Sequence, residues 1–287
     1  MSKWEVPMLA QDFKEGRVKF PCYAEPKFDG VRVLAEVTRG DKNAMTVDEV
    51  NFHFRSGKPV HTLEHLVEPL LEISEGWGNC WFDGEVIHEE GFMKCVGDVR
   101  RKRLQAPHLT YAIFDVFGGD EDSEELSYLE RRDILEKHPL LFSLSKVEVV
   151  PTKSISSMDD LWEAKEIYEA MSNNVEGVMI KNDSLYQHGK RSFDWMKVKD
   201  ELSVDFPVVE AYEGTGKYKD MLGGFIAENP DTGARVRIGG GYNDEQRKQY
   251  WDNRNDYIGV VAEIKYQYMT PKGSLRHPIF KCWRIDK

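Results

Sequence analysis

An α+β fold in two units is what this sequence predicts, on three observations. Runs rich in β-branched and aromatic residues alternate with amphipathic stretches up to about residue 202. From residue 203 the pattern changes to short strands and turns with one helix start among them. A chain of 287 residues, 40% hydrophobic and 11% aromatic, is long and apolar enough to bury two cores. The expected units are therefore 1–202, strands with amphipathic helices between them, and 203–287, a small β-barrel.

The elements follow from local pattern. Val31 to Thr38, Cys80 to Ile87, Leu109 to Phe117, Val175 to Lys181 and Phe193 to Lys199 read as strands. A first helix begins near Thr62, with Leu63, Leu66, Leu70 and Leu71 on one side. A second runs from about Glu125 to His138 and stops before Pro139. A third follows Ser157, whose hydroxyl three residues before Asp160 suits an N-cap. Its expected apolar stripe is Leu161, Ala164, Ile167, Tyr168 and Met171. In the second unit five strands are expected: Asp205 to Glu213, Gly223 to Glu228, Ala234 to Ile238, Tyr257 to Tyr268 and Ile279 to Ile285. Asn229-Pro230-Asp231-Thr232-Gly233 makes a hairpin turn, and Asn243 with Gln246 caps one helix. Five strands with one helix between the third and fourth fit an OB-type barrel.

Composition narrows the class. No run approaches 18 apolar residues, so no helix from this sequence spans a bilayer. The N-terminal stretch Met1 to Pro7 lacks the apolar core of a signal peptide. The four cysteines, Cys22, Cys80, Cys95 and Cys282, form no C-x-x-C pair, which argues against structural zinc and for reduced thiols in a cytoplasmic compartment. Net charge is −11 but uneven: residues 203–287 carry 13 basic against 12 acidic groups, and the remainder 26 against 38. Local basic clusters, Arg100-Arg101-Lys102-Arg103 and Lys217 with Lys219, stand within that acidic total.

Chemistry is concentrated in a series of polar clusters. In order they are Lys27-Phe28-Asp29-Gly30 with Arg32, Phe54-Arg55-Ser56-Gly57, Asp83-Gly84-Glu85 and Ile113-Phe114-Asp115. Glu176-Gly177-Val178-Met179-Ile180-Lys181, Trp195-Met196-Lys197-Val198-Lys199 and Arg284-Ile285-Asp286-Lys287 follow. Taken singly, each also fits a turn, a strand face or a solvated tail. Lys197 and Lys199, two apart on a strand, point to one side.

Together and in this order the clusters resemble the motif series of the covalent nucleotidyltransferases: DNA ligases, RNA ligases and mRNA capping enzymes. The likeness is to ATP-dependent DNA ligases of the short phage type, since Glu25 stands two residues before Lys27. Ile238 to Glu245 is similar to the glycine-rich turn and helix start of ligase OB domains, and Leu275 to Phe280 to the strand entry before their last motif. The resemblance covers roughly residues 22–287 and implies an antiparallel-sheet adenylation domain followed by an OB-fold domain.

The resemblance implies these roles. Lys27 attacks the α-phosphorus of ATP and carries AMP as a phosphoramidate. A free lysine, with a pKa of about 10.4, is a poor nucleophile until neighbouring charge favours its neutral form. Lys197, Lys199 and a bound ion would supply that charge. Asp29 and Glu176 would hold Mg²⁺ (or Mn²⁺), which needs few carboxylates and keeps its waters. Arg32 and Glu85 would contact the ribose, and Glu25 the adenine. Arg55 would bind phosphate, Phe114 and Met179 would sandwich the base, and Lys181 is a further nucleotide contact. Arg284, Asp286 and Lys287 would reach the departing pyrophosphate. The partner implied is nicked duplex DNA, gripped by a monomer in the cytoplasm, or the host cytoplasm for a phage protein, with no membrane. With 26 residues ahead of Lys27 and an acidic total, salt-sensitive nick binding is expected. An RNA ligase or capping guanylyltransferase shares the covalent step and is the alternative; a non-catalytic OB-fold binding protein is the reading from another class.

Overall fold

The computed structural model describes residues 6–40, 46–118, 125–137, 145–172, 174–199 and 202–284. The chain divides into two units, Met1–Lys199 and Asp200–Lys287. In the first, the strands in chain order are β1 (Leu9–Asp12), β2 (Cys22–Phe28), β3 (Val31–Thr38), β4 (Glu49–Phe54), β5 (Pro59–Val60), β6 (Cys80–Ile87), β7 (Thr110–Gly118), β8 (Val147–Val149), β9 (Lys153–Ile155), β10 (Val175–Lys181) and β11 (Arg191–Lys199). The helices are α1 (Val67–Ile73), α2 (Phe92–Val99), α3 (Tyr128–Glu136) and α4 (Met158–Met171).

These strands make two sheets. One has the order β1-β11-β10-β2-β9, the other β5-β4-β3-β6-β7-β8. Both are antiparallel except at one edge pair each, β1 with β11 and β7 with β8. The outer face of the second sheet (Val33, Ala35, Phe82, Ile113) packs on α1 and α2 through Leu66, Leu70, Ile73 and Cys95. The outer face of the first (Ala24, Val178, Ile180, Met196) packs on α4 through Leu161, Ala164 and Tyr168. Between the sheets lies a smaller apolar seam of Met8, Leu34, Trp81, Phe117, Tyr186 and Trp195. The unit is thus layered helix, sheet, sheet, helix, and the two inner sheet faces look at each other.

Helix boundaries follow their caps. Ser157 accepts the Asp160 N–H at 3.1 Å and starts α4, as its sequence predicts. Leu161, Ala164 and Tyr168 are buried, but Ile167 and Met171 are 49% and 53% exposed. At about 100° per residue, Ile167 lies too far round the helix from the Leu161–Tyr168 line to reach the sheet. Ser127 with Glu130 forms a capping box, so α3 begins at Tyr128 rather than Glu125; His138 lies outside the described residues. Pattern reading passes over β2, because Pro26 and two charges interrupt its alternation. Pro26 lies beyond the last pair with β9, where β2 is flanked on one side by β10 alone, a location that tolerates proline.

The second unit holds β12 (Leu202–Glu213), β13 (Leu222–Glu228), β14 (Arg235–Ile238), α5 (Asp244–Asp252), β15 (Val261–Tyr266) and β16 (Ile279–Arg284). Its sheet order is β14-β13-β12-β15-β16, all antiparallel. A parallel bridge from Gly240 to Ile279 brings the outer strands together, with the Phe280 N–H donating to the Gly240 carbonyl at 3.0 Å. This is the expected five-strand, one-helix OB arrangement. Asn243 and Gln246 exchange both capping-box bonds. The fourth strand is shorter than its pattern suggests, since residues 254–257 form a tight helical turn before it.

Candidate active site

One inner sheet face collects the charged residues by register alone. Met179 lies directly between Glu25 on β2 and Lys197 on β11. Side chains two residues apart share a face, so Lys27, Lys181, Trp195 and Lys199 join them, while the alternate residues pack on α4. A bulge adds one more group. Val175 pairs with Phe28 and Val178 with Pro26, so Glu176 and Gly177 together oppose Lys27. The bulge turns Glu176 inward, where its Oε1 takes the Lys27 ammonium in an ion pair. Gly177 sits at φ +149°, and a Cβ there would lie 2.1 Å from the Val198 carbonyl oxygen. The Glu-Gly of the sequence is therefore a bulge, with the glycine set by close packing. Gly30 has a similar cause: a Cβ would come within 2.2 Å of the Val86 carbonyl oxygen.

Lys27 has its pKa lowered, chiefly by burial. Lys199 and Lys197 push the same way, while Glu85 and Asp29 oppose them. The two lysines act in the direction expected, but desolvation is the larger cause. Burial also pushes Glu85 up to about 7, against the pull of Lys27 and Arg32. Asp29 closes β2, its N–H donating to the Asn174 carbonyl at 2.7 Å. Lys197 lies 3.0 Å from Asp12 on β1.

The facing sheet supplies Arg32, Glu85 and Phe114. Arg32 and Glu85 are register partners on β3 and β6. The Arg32 guanidinium grips Asp83 through Nε at 2.8 Å and Nη2 at 2.5 Å, and donates to the Met8 carbonyl at 2.9 Å. It is thus fixed as a fork before any ligand arrives. Asp83 pairs with Asp115 and Gly84 with Ile113, which makes Phe114 the extra residue of a second bulge. Its ring meets Trp195 edge-on at 6.0 Å, with the Arg32 guanidinium 5.3 Å away. Met179 and Phe114 are both half-buried, on facing sheets. Arg55 is exposed in the β4–β5 turn, just past the Val33–Phe54 pair and so at the end of the sheet where Arg32 meets Glu85.

Glu25 and Lys181 occupy a deeper position. Lys181 is buried, with its ammonium 2.9 Å from Glu25, donating to the Phe114 carbonyl at 2.8 Å and lying 4.4 Å from the centre of the Trp195 ring. Glu25 also accepts the Tyr128 hydroxyl at 2.5 Å. Around them runs a network that motif reading misses: Arg131 binds Asp115 through two bonds at 2.7 and 3.1 Å, and the Tyr186 hydroxyl donates to Asp83 at 2.7 Å. One signal was available. Tyr128, Arg131, Arg132 and Leu135 fall on one face of α3, and all four are buried.

Of the predicted residues, eleven are brought to these two facing sheets: Glu25, Lys27, Asp29, Arg32, Glu85, Phe114, Glu176, Met179, Lys181, Lys197 and Lys199. Arg284 belongs to the second unit, 3.1 Å from Asp205 and 3.3 Å from Glu263. Asp286 and Lys287 lie outside the described residues. The Glu176 Oε2 atom is buried without a hydrogen-bond partner. An all-oxygen pair of carboxylates with one orphaned oxygen suits a hard divalent cation such as Mg²⁺.

Both units are similar to known proteins. Residues 7–199 match the ATP dependent DNA ligase domain, and residues 213–284 the DNA ligase OB-like domain. The DNA ligase of Enterobacteria phage T4 is 25% identical over 90% of this chain and 63% of its own length. That of Methanothrix thermoacetophila is 36% identical over 75% of this chain and 39% of its own. The chain thus spans less than two thirds of the length of these relatives. The solved structure Pmar-Lig_PreS3 superposes with a TM-score of 0.80 at 26% identity, over 97% of this chain and 67% of that one. A structure described as "DNA binding with a minimal scaffold: Structure-function analysis of Lig E DNA ligases" superposes with a TM-score of 0.74, over 98% of this chain and 100% of that one. Its 19% identity makes that a likeness of fold. The chain belongs to the ATP-dependent DNA ligase family.

Proposed function

We propose that this chain seals nicks in duplex DNA with ATP, through an AMP carried on Lys27. The observation that supports it best is the placement of Lys27: a half-buried amine whose pKa is lowered, facing Glu176, with Glu85, Lys197 and Lys199 around it. In the first step the neutral Lys27 amine attacks the α-phosphorus. The new N–P bond forms as the bond to the bridging oxygen of pyrophosphate breaks, and the amine sheds its remaining extra proton to solvent. AMP then passes to the 5′-phosphate of the nick, and the 3′-hydroxyl displaces AMP to close the strand. Such transfers require positioning and charge neutralisation more than covalent help from the protein.

The residues divide this work. Lys197 and Lys199 neutralise the α-phosphate, and Phe114 and Met179 flank the base. Arg32, fixed by Asp83 and the Met8 carbonyl, stands beside Glu85 with its remaining Nη hydrogens for the ribose. Glu25, braced by Lys181 and Tyr128, faces the adenine; Lys181 then serves by holding Glu25. Arg55 receives phosphate from the nucleotide or the nick. Arg284, with Asp286 and Lys287, attends the pyrophosphate. Mg²⁺ held by Asp29 and Glu176 would neutralise phosphate charge and occupy the carboxylate that otherwise engages Lys27. Incubation with a nicked duplex, ATP and magnesium is the test. Joined strand is expected from wild type and none from Lys27→Ala; joining that survives the substitution, or occurs with nicked RNA and not DNA, overturns the reading.

A further inference from the structure

We propose that Asn174 is a positioning residue that locks the two inner sheet faces at the reacting end of the site. The inference rests on the reading of Asp29, Glu176 and Glu85 given above. Asn174 precedes β10 by one residue and makes three bonds in three directions. Its own N–H donates to the Ser172 hydroxyl at 3.1 Å. Its carbonyl accepts the Asp29 N–H at 2.7 Å. Its side-chain Nδ2 donates to the His88 carbonyl at 2.9 Å. Asp29 directly follows β2 on the first sheet; His88 follows β6 on the second, three residues past Glu85. One side chain therefore clips the end of one sheet to the end of the other.

The consequence is geometric. Lys27 is held by Glu176 on its own sheet, and it feels Glu85 on the opposite sheet. Asn174 lies two residues from Glu176, bonds the backbone of Asp29, and reaches the strand of Glu85. It fixes the spacing of the three carboxylates around the amine without touching the reacting atoms. Nucleotide transfer tolerates little misplacement of such groups. Folding depends on the clip much less: the His88 carbonyl also accepts the Gly91 N–H at 2.9 Å, so removing the Asn174 amide leaves no orphaned acceptor.

The test uses Asn174→Leu, which keeps the bulk and loses the donor, and Asn174→Asp, which keeps the shape and loses it too. Two readouts are taken on the full chain: amide hydrogen exchange at Phe28–Gly30 without nucleotide, and the rate and ATP dependence of AMP attachment by intact mass. Both variants keep the backbone carbonyl that accepts the Asp29 amide but release the segment carrying it from His88, so that amide is expected to exchange up to about fivefold faster, the worth of the one side-chain hydrogen bond removed. Attachment should slow by a similar factor with little change in KM for ATP, because the residue acts on alignment and not on binding. Leu161→Ala, a cavity under α4, is the control that should lower melting temperature without changing exchange at Asp29. Wild-type exchange and wild-type attachment in both Asn174 variants would overturn the clip. Should the wild type take no AMP at all, the proposed function fails instead, and the exchange readout still decides the clip.

Discussion

Both units bury aromatic rings, but the first also buries a set of paired charges that has few counterparts in the second, and the difference shows in which residues lie inside. Glu25, Asp83, Asp115, Arg131 and Lys181 are each 1% exposed or less. Among the described residues of the second unit, the buried charges are Arg247, which caps backbone carbonyls of Leu222, Gly223 and Gly239, and Glu263, which pairs with Lys281. Its centre is aromatic, with Tyr242 stacked on Phe280 at 5.0 Å and Tyr257 on Trp283 at 4.7 Å. Apolar burial stabilises a fold outright, whereas a buried ion pair roughly breaks even against its desolvation. A unit that holds so much paired charge between two sheets is arranged to fix the positions of those groups. The contrast separates a unit that holds paired charges in place from one whose buried charges are few.

The largest test of this contrast is Arg131→Met. It leaves Asp115 buried without its bidentate partner and should destabilise the first unit by about 3–5 kcal/mol in urea unfolding. A cost under about 1 kcal/mol would mean that the network is ornamental, since surface pairs are worth that much. In the second unit, Leu222→Ala should cost about 3 kcal/mol by cavity formation, with no ion pair disturbed.

Acid separates one carboxylate of each unit, Glu85 and Glu263, because the two respond with opposite sign. Folding raises Glu85 from 4.5 to about 7, so its contribution is complete below about 4.5 and is lost as pH rises through 7. Folding lowers Glu263 from 4.5 to about 2, through bonds from Lys281 and Ser203, so its contribution is complete above 4.5 and lost as pH falls towards 2. Glu85→Gln should flatten the first dependence and Glu263→Gln the second, each followed by denaturation across pH. The smallest expected effects are the caps: Ser157→Ala and Asn243→Ala should each cost about 1 kcal/mol, alike in the two units.

Much of this was legible in the residues. Val31–Thr38, Cys80–Ile87 and Val175–Lys181 stand where their β-branched and aromatic residues put them, because each is a largely buried strand of a sheet. Ser157 and Asn243 cap as read, since capping is decided within four residues. The lysine, the carboxylates and the second lysine pair were readable as an ordered series of clusters. What stayed hidden depends on distant partners. Lys181 is buried because Glu25, 156 positions earlier, and the Phe114 carbonyl, 67 earlier, receive it. Glu176 reaches Lys27 through a bulge that no periodicity announces. Asn174 carries no motif at all; only the meeting of two sheets gives it a role.

The reading proposed for Lys27 is that desolvation and its lysine neighbours favour the neutral amine. The most direct measurement is the rate of AMP attachment to the protein, by intact mass, as a function of pH with ATP and magnesium present. A single adduct is expected, absent in Lys27→Ala, whose rate is half-maximal below the ordinary lysine value of about 10.4. A rate that keeps climbing to that value, or an adduct that survives Lys27→Ala, would contradict it.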